Sequence, residues 1–356
     1  MPIASTAAPS LRSGPSKRVS VVVPTYNRAE LLKATVRSIL DQTLPPFEII
    51  VVDDGSTDNT ADVCAEFPPP VRYIRQDNRG VAAARNTALR AARGDWIAFC
   101  DSDDLWMPHK LELQLSALDV TGVSWSITDF LIIGPEGEIE TRQTNGFQVA
   151  FPVFPEMGRT PEEHFARWLD GRGVQGLGLK AYTGDAFGML FLGNVVIPST
   201  ALIARDLVTR VGFFDETLRV AEDTEYFHRV AAMSRVTILM KPLSLYRVGH
   251  ASLVAQKSEQ LIVNAILSVE RAALLRPHLS LREQDALRIG SGMLRSRLAY
   301  SRLAALDREA ARHALRDSAG KMALSPRSAA IFLMSWLPRA ALVALHRVKR
   351  FIRGNK

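Results

Sequence analysis

Two cysteines in 356 residues, Cys64 and Cys100, are too few for a disulfide framework. Cys100 sits inside an apolar run, so both are expected to be reduced, structural thiols. No Walker loop is present. Gly171, Gly173, Gly176 and Gly178 cluster, but they do not follow a strand and open a helix, which excludes a dinucleotide fingerprint. His109, His164 and His228 show no metal-ligand spacing, and no internal repeat stands out. The first 18 residues are polar, with Pro, Ser and Gly, and lack the apolar core of a secretory signal; they are expected to be a disordered lead-in. Acidic residues are absent after Asp317, whereas that stretch holds eight Lys and Arg. With a formal charge of +7 for the whole chain, residues 1 to 317 therefore sum to −1, and the basic character belongs to the tail. The tail is also apolar. Residues 329–345 include Ile331, Phe332, Leu333, Trp336 and Leu342, interrupted by Pro338-Arg339. This falls short of the roughly 20 apolar residues a bilayer span needs. It suits a helix lying on an anionic membrane surface better than a nucleic-acid arm. The alternative is a helix packed on the body of the chain or on a dimer partner.

What is there is an acidic cluster at a strand end. Trp96-Ile97-Ala98-Phe99 is followed by Cys100-Asp101-Ser102-Asp103-Asp104. Asp101 and Asp103 are two apart, so in extended chain their carboxylates leave one face. Crowded carboxylates repel unless a cation joins them, and an oxygen-only set suits Mg²⁺ or Mn²⁺ together with substrate phosphates. Taken alone, Asp-x-Asp is equally a solvated turn.

The surroundings make it part of a series. A strand over 19–23 runs into Pro24-Thr25-Tyr26-Asn27-Arg28, and a helix follows, with Asn27 and Glu30 spaced as a capping box. Leu32, Val36, Ile39 and Leu40 share one helix face. A strand over 47–52 runs into Asp53-Asp54-Gly55-Ser56-Thr57-Asp58, and one over 71–74 leads to Asn78-Arg79-Gly80 and an Ala-rich helix ending near Gly94. The order β-α-β-α-β-α-β implies a mostly parallel sheet flanked by helices. Ligands of such sheets bind at the carboxyl ends of the strands.

In their order and spacing, Val-Val-Val-Pro-Thr-Tyr-Asn-Arg, Val-Val-Asp-Asp-Gly-Ser-Thr-Asp, Gly-Val-Ala-Ala-Ala-Arg-Asn and Asp-Ser-Asp-Asp resemble the nucleotide-binding half of family 2 glycosyltransferases. The resemblance continues more weakly through Gly212-Phe213-Phe214-Asp215-Glu216 and Glu222-Asp223-Thr224-Glu225, covering residues 19 to about 250. It implies an α/β, GT-A-type, Rossmann-like fold. It also implies a metal-dependent inverting transfer of a sugar from a nucleotide diphosphate sugar to an acceptor hydroxyl, in cell-surface polysaccharide or glycolipid synthesis, with a glycan or a lipid-linked molecule as acceptor.

The strand-end turn of Pro24, Thr25 and Tyr26 is placed to line the base. By resemblance, Asp54 accepts a hydrogen bond from the base and Arg85 contacts base or phosphate; otherwise these are a turn residue and a solvated helix residue. Asp103 is the expected metal ligand, with Asp101 nearer the ribose or a metal-bound water. His250, in Tyr246-Arg247-Val248-Gly249-His250, is a further ligand candidate or else structural. Asp104 is expected to cap the helix beginning near Pro108. Resemblance points to Asp223 as general base in one inverting displacement; the alternative is a carboxylate that only complements a helix dipole.

The expected organisation is a lead-in over 1–18 and a catalytic domain over 19–250, divided into a nucleotide-binding half (19–120) and an acceptor half (121–250). A helical appendage over 251–325 and the basic tail over 326–356 follow. Residues 134–194 show few clear elements and are where acceptor specificity is expected. The expected location is the cytoplasm, peripheral at the inner face of the plasma membrane, with no nucleic-acid partner. Two other readings stand beside this one. A nucleotidyltransferase would need a Gly-rich phosphate loop after its first strand, which 24–28 lacks. A non-catalytic sugar-nucleotide-binding protein would not need Asp101, Asp103 and Asp223 all in place.

Overall fold

The structure is a computed structural model that describes residues 17–139, 160–171, 178–193, 195–249, 258–319, 326–338 and 341–342. Its first half is the expected alternation. Strands β1 (Val19–Thr25), β2 (Glu48–Asp53), β3 (Val71–Arg75) and β4 (Trp96–Phe99) pair in parallel in the order β3-β2-β1-β4. Helices α1 (Ala29–Leu40), α2 (Thr60–Ala65) and α3 (Val81–Ala91) connect them. Successive residues of each strand face opposite layers. Val21, Val23, Ile49 and Val51 pack with Leu32, Val36 and Ile39 of α1, while Val22, Ile50, Val52 and Phe99 share a core with Ala84 and Ala88 of α3. Burial on both faces explains the nearly continuous apolar runs. Both cysteines are buried and free.

One local reading is corrected. Asn27 is not the cap of α1. It has a left-handed φ of 50°, and its side-chain oxygen accepts from the Thr57 backbone at 2.7 Å. The Ala29 N–H that opens α1 is met instead by Asp58, at 3.1 Å from the next strand-end loop.

The second half is β5 (Leu105–Trp106), α4 (Lys110–Thr121), β6 (Trp125–Ile133), α5 (Pro161–Trp168), β7 (Ala181–Gly184), α6 (Phe187–Leu190), a 3₁₀ turn (Pro198–Thr200), β8 (Leu202–Ala204), α7 (Arg205–Val211), α8 (Glu222–Met233) and β9 (Val236–Arg247). Strand β8 lies antiparallel between β4 and β6, and β9 runs parallel to β6 but antiparallel to β5 and β7. The expected parallel order thus describes the nucleotide-binding half, and the whole sheet of nine strands is mixed. Within the stretch expected to hold few elements, α5 forms on a capping box in which Thr160 and Glu163 satisfy each other's backbone N–H groups.

The appendage consists of α9 (Ser258–Ala273), α10 (Leu281–Ala304), α11 (Arg308–Ala319) and α12 (Pro326–Met334). Ile262, Ile266, Leu298, Leu303, Leu315, Ile331 and Leu342 form its own core. Helix α10 docks on the catalytic body so closely at Gly290 that a Cβ there would lie 1.7 Å from the Phe191 carbonyl oxygen. Ile331 and Leu342 of the tail are buried in the appendage, whereas Leu333 and Trp336 are exposed. Arg312 lies over the Trp336 ring at 4.7 Å and donates to the Ser335 carbonyl at 2.8 Å. The described part of the tail is therefore packed on protein along one side. No helix among the described residues is long and apolar enough to cross a membrane.

Candidate active site

The carboxyl ends of β1, β2 and β4 open into a cavity of about 1020 Å³. Pro24, Thr25, Tyr26, Asp54, Arg85, Asp101, Asp103 and Asp223 all line it. Every sequence-predicted site residue within the described set is thus brought to one place, although they span 200 positions. His250 lies outside the described residues.

Register places the first contributors. Thr25 pairs with Asp53 at the ends of β1 and β2, and the Asp54 N–H donates to the Thr25 carbonyl at 2.9 Å. Tyr26 is half exposed at the rim. The Thr25 hydroxyl is buried and has no hydrogen-bond partner among the described residues, so it is available to a bound group. Asp54 is buried and already engaged. Its carboxylate accepts from Gln76 at 2.7 Å, from the Arg79 N–H at 3.0 Å and from the Gly80 N–H at 2.7 Å. It anchors the loop that opens α3. Gly80 is favoured there by its φ of +95°; a Cβ would meet only the tip of the Arg219 side chain, which can shift.

Arg85 is not a solvated helix residue. It is buried and bridges Asp101 at 2.7 Å and Glu222 at 2.7 Å, with its guanidinium 5.4 Å from the centre of the Phe214 ring. Burial alone would lower its pKa; Asp101 and Glu222 outweigh that and raise it, holding Arg85 charged. One arginine on α3 therefore ties the Asp-x-Asp segment to the first turn of α8.

The acidic segment is held from below. The Asp101 N–H donates to the Ser199 hydroxyl at 3.0 Å, and that hydroxyl in turn donates to Asp104. Arg247 donates its backbone N–H to Asp104 at 3.0 Å and its Nε to the Asp103 carbonyl at 3.0 Å. Asp104 is fully buried, and burial, then the charge of Asp101, push its carboxyl up to about 7. This corrects the expectation that Asp104 caps the following helix. Helix α4 begins at Lys110 after His109, with no side-chain cap. The reason is tertiary: Ser199 and Arg247 arrive from the other half of the sheet and claim the carboxylate.

Asp103 is ion-paired with Arg28, and Asp101 with Arg85. Among the described residues no third His, Cys, Asp or Glu joins them as a closed metal cage. Mg²⁺ is ordinarily held by one or two carboxylates plus substrate phosphates and water, so the oxygen set of Asp103 and Asp101 fits such an ion. Arg28 would have to yield its place beside Asp103.

Asp223 lies in the first turn of α8, where its Oδ1 accepts from the Thr224 N–H at 2.7 Å. Burial, then the neighbouring Glu222, push its carboxyl up to about 7. The residue before this pair, Ala221, takes a left-handed φ of 61° without being glycine. Tyr226, Phe227 and Val230 are buried, as their spacing predicts. Ser199, Arg28 and Arg247 are the supporting residues to which sequence reasoning gave no role, and Glu222 was read only as the neighbour of Asp223. Arg28, Glu222 and Arg247 carried a signal in standing within the quoted motifs; Ser199 carried none.

Comparison with known proteins agrees with this geometry. The family model "Glycosyl transferase family 2" matches residues 20–176. Over 123 residues the chain is 40% identical to TuaG of Bacillus subtilis (strain 168), which is named as a glycosyltransferase; the match covers 33% of this chain and 49% of that protein. Over 117 residues it is 39% identical to the UDP-Glc:alpha-D-GlcNAc-diphosphoundecaprenol beta-1,3-glucosyltransferase WfgD of Escherichia coli, covering 32% of this chain and 46% of that protein. The chain thus spans about half the length of these curated relatives. In fold it is similar to TarS 1-349 of S. aureus in complex with UDP-GlcNAc, with a TM-score of 0.64 at 17% identity over 93% of this chain and 92% of that one. It is also similar to the mannosyltransferase PcManGT of Pyrobaculum calidifontis in complex with GDP-Man and Mn2+, with a TM-score of 0.56 at 20% identity over 94% and 80%. Residues 20–176, which supply the strand-end loops and the Asp-x-Asp segment, are thus similar to family 2 glycosyltransferases, and the fold around them is similar to that of TarS and PcManGT.

Proposed function

We propose that the protein is a metal-dependent inverting glycosyltransferase that moves a sugar from a nucleotide diphosphate sugar to the hydroxyl of a lipid-linked or glycan acceptor. The observation that carries this reading is the single cavity in which Thr25, Arg85, Asp101, Asp103 and Asp223 meet.

In this reading the base lies against Pro24, Thr25 and Tyr26, where the unpartnered Thr25 hydroxyl offers a hydrogen bond. Asp54 shapes that wall by fixing the loop before α3. Arg85 keeps Asp101 and Glu222 in place, and Arg28 brings a cation from the chain itself beside the diphosphate. Asp103, with Asp101, would hold Mg²⁺ or Mn²⁺, which when bound neutralises charge on the departing diphosphate. Asp223 accepts the acceptor proton as its oxygen attacks the anomeric carbon and the nucleoside diphosphate leaves. A carboxylate near pKa 7 suits that task at neutral pH better than one near 4. No second nucleophilic carboxylate is needed for inversion. The partners of the E. coli relative, a UDP-sugar and a diphosphoundecaprenol acceptor, suggest work at the inner face of the plasma membrane, with the exposed Leu333 and Trp336 of the tail toward the lipid. The nucleotidyltransferase reading is disfavoured because the turn after β1 is not an open anion cradle: the Asn27 N–H donates to Ser56 and the Ala29 N–H to Asp58.

The test is incubation with a panel of nucleotide sugars and Mn²⁺, following release of nucleoside diphosphate and the anomeric configuration of any glycoside formed. Hydrolysis or transfer with one donor, with inversion, supports the reading. Absence across the panel, or retention, overturns it.

A further inference from the structure

The cavity that holds the carboxylates does not end with them. Beyond Asp223 it continues between the segment after α6 and the two long helices of the appendage, and its lining changes from carboxylate and guanidinium to hydrocarbon. Leu192 and Ile197 form one wall. Leu261 and Ala265, one turn apart on α9, form another, and Met293 and Leu294 of α10 a third. Ile197, Leu261, Ala265, Met293 and Leu294 are only half-buried, although the neighbouring Ile266 is buried in the appendage core. Apolar surface left facing a cavity is costly unless something apolar covers it. Arg297, one turn beyond Met293, also lines the cavity; it is exposed and has no ion-pair partner among the described residues. The lobe is rigidly attached to the chemistry. Asn264 of α9 donates to the Val220 carbonyl at 2.8 Å, three residues before Asp223, and Gly290 places α10 against Phe191.

We propose that this apolar lobe is an acceptor subsite that takes the hydrocarbon chain of a lipid-linked acceptor, with Arg297 meeting the phosphate that joins chain to sugar. The inference rests on the reading of Asp223 as the place of transfer. It adds that α9 and α10, outside the family-matched segment, form part of the active site and select the acceptor's lipid. A glycan acceptor without a lipid would leave Leu261, Ala265 and Leu294 facing water. Continuity with the carboxylate site and an unpaired cation at the same wall favour a chain bearing an anion.

The probes are butyl, octyl and farnesyl monophosphate, with farnesol, all kept below their aggregation limits, bound to the full chain and followed by calorimetry. Each methylene that becomes buried contributes about 0.8 kcal/mol, roughly fourfold in affinity, so binding should strengthen at least about tenfold from butyl to octyl. Ala265→Trp, which narrows the lobe, should weaken farnesyl phosphate by about tenfold or more while UDP and GDP bind as in wild type. Arg297→Ala should abolish the preference for farnesyl phosphate over farnesol, and Trp336→Ser on the exposed tail should change neither. Binding of the wild type that does not depend on chain length overturns the proposal, and so does chain binding lost in Trp336→Ser but kept in Ala265→Trp. These outcomes do not involve sugar transfer. Failure of the donor panel with chain-length dependence intact therefore refutes the enzyme reading alone.

Discussion

The nucleotide-binding half and the helical appendage bury apolar surface by different routes. In β1 to β4 each strand is four to seven residues long and followed at once by a polar turn, and all but the edge strand β3 are covered on both faces. Position along such a strand decides both burial and which residue stands at its end. In the appendage, α10 runs for 24 residues, and those it buries include Ala286, Gly290, Gly292 and Ala299, small groups that let another surface approach. Its path depends on what it docks against. One region writes its function into local order; the other acquires a role only by being brought against Phe191 and Val220. The cavity records the difference, polar where the strands end and apolar where the helices close it.

The sharpest test lies on the polar side. Asp223→Asn keeps the shape but cannot take a proton, so turnover should fall by on the order of 10² to 10⁴ with nucleotide binding retained. With the acid pushed up to about 7, the wild-type base form is lost as pH falls, so kcat should rise with pH through about 7 and then level. The Asn variant should lack that rise. Wild-type-like turnover would reduce Asp223 to a helix-start residue and move attention to Glu222.

The next test is on the apolar side. Gly290→Leu forces a side chain into the Phe191 backbone and should cost about 3 kcal/mol in urea unfolding, the upper end of the usual overpacking range. UDP or GDP binding should survive in the population that stays folded, because the strand-end loops do not use this contact. Loss of nucleotide binding together with the appendage would break the comparison, showing that the two regions are not separable.

Asp103→Ala should weaken Mn²⁺-dependent nucleotide binding by at least about tenfold, since removing even an outer-sphere partner of a metal ligand costs 10- to 100-fold. Calorimetry with and without the metal reads this directly; unchanged metal dependence removes Asp103 as a ligand. The smallest effect is expected at the junction of the regions. Ala221→Gly relieves a left-handed alanine and should stabilise the fold by about 1 kcal/mol while lowering kcat slightly through a looser α8 start. A destabilised variant would show that the Ala221 side chain does more by packing than it costs in strain.

The parallel β-α alternation of the first half, the burial of its central runs and the eight described cavity residues were legible before any coordinates. Asp54, Arg85 and Asp223 came from resemblance to the family motifs; the rest follow from alternation along a strand and from what stands at the strand's end, interactions that reach only a few residues. The apolar spacing of α8 was legible for the same reason. Capping by Asn27 and Asp104 was misread because competing donors, Thr57 for one and Ser199 with Arg247 for the other, come from distant chain. The bridge from Asp101 through Arg85 to Glu222, the antiparallel second half and the hydrocarbon lobe between α9 and α10 were decided by tertiary structure alone. Short-range backbone and burial preferences are carried by neighbouring residues. An ion pair across 137 positions, or a cavity between two docked helices, exists only once the chain has folded and brought those surfaces together.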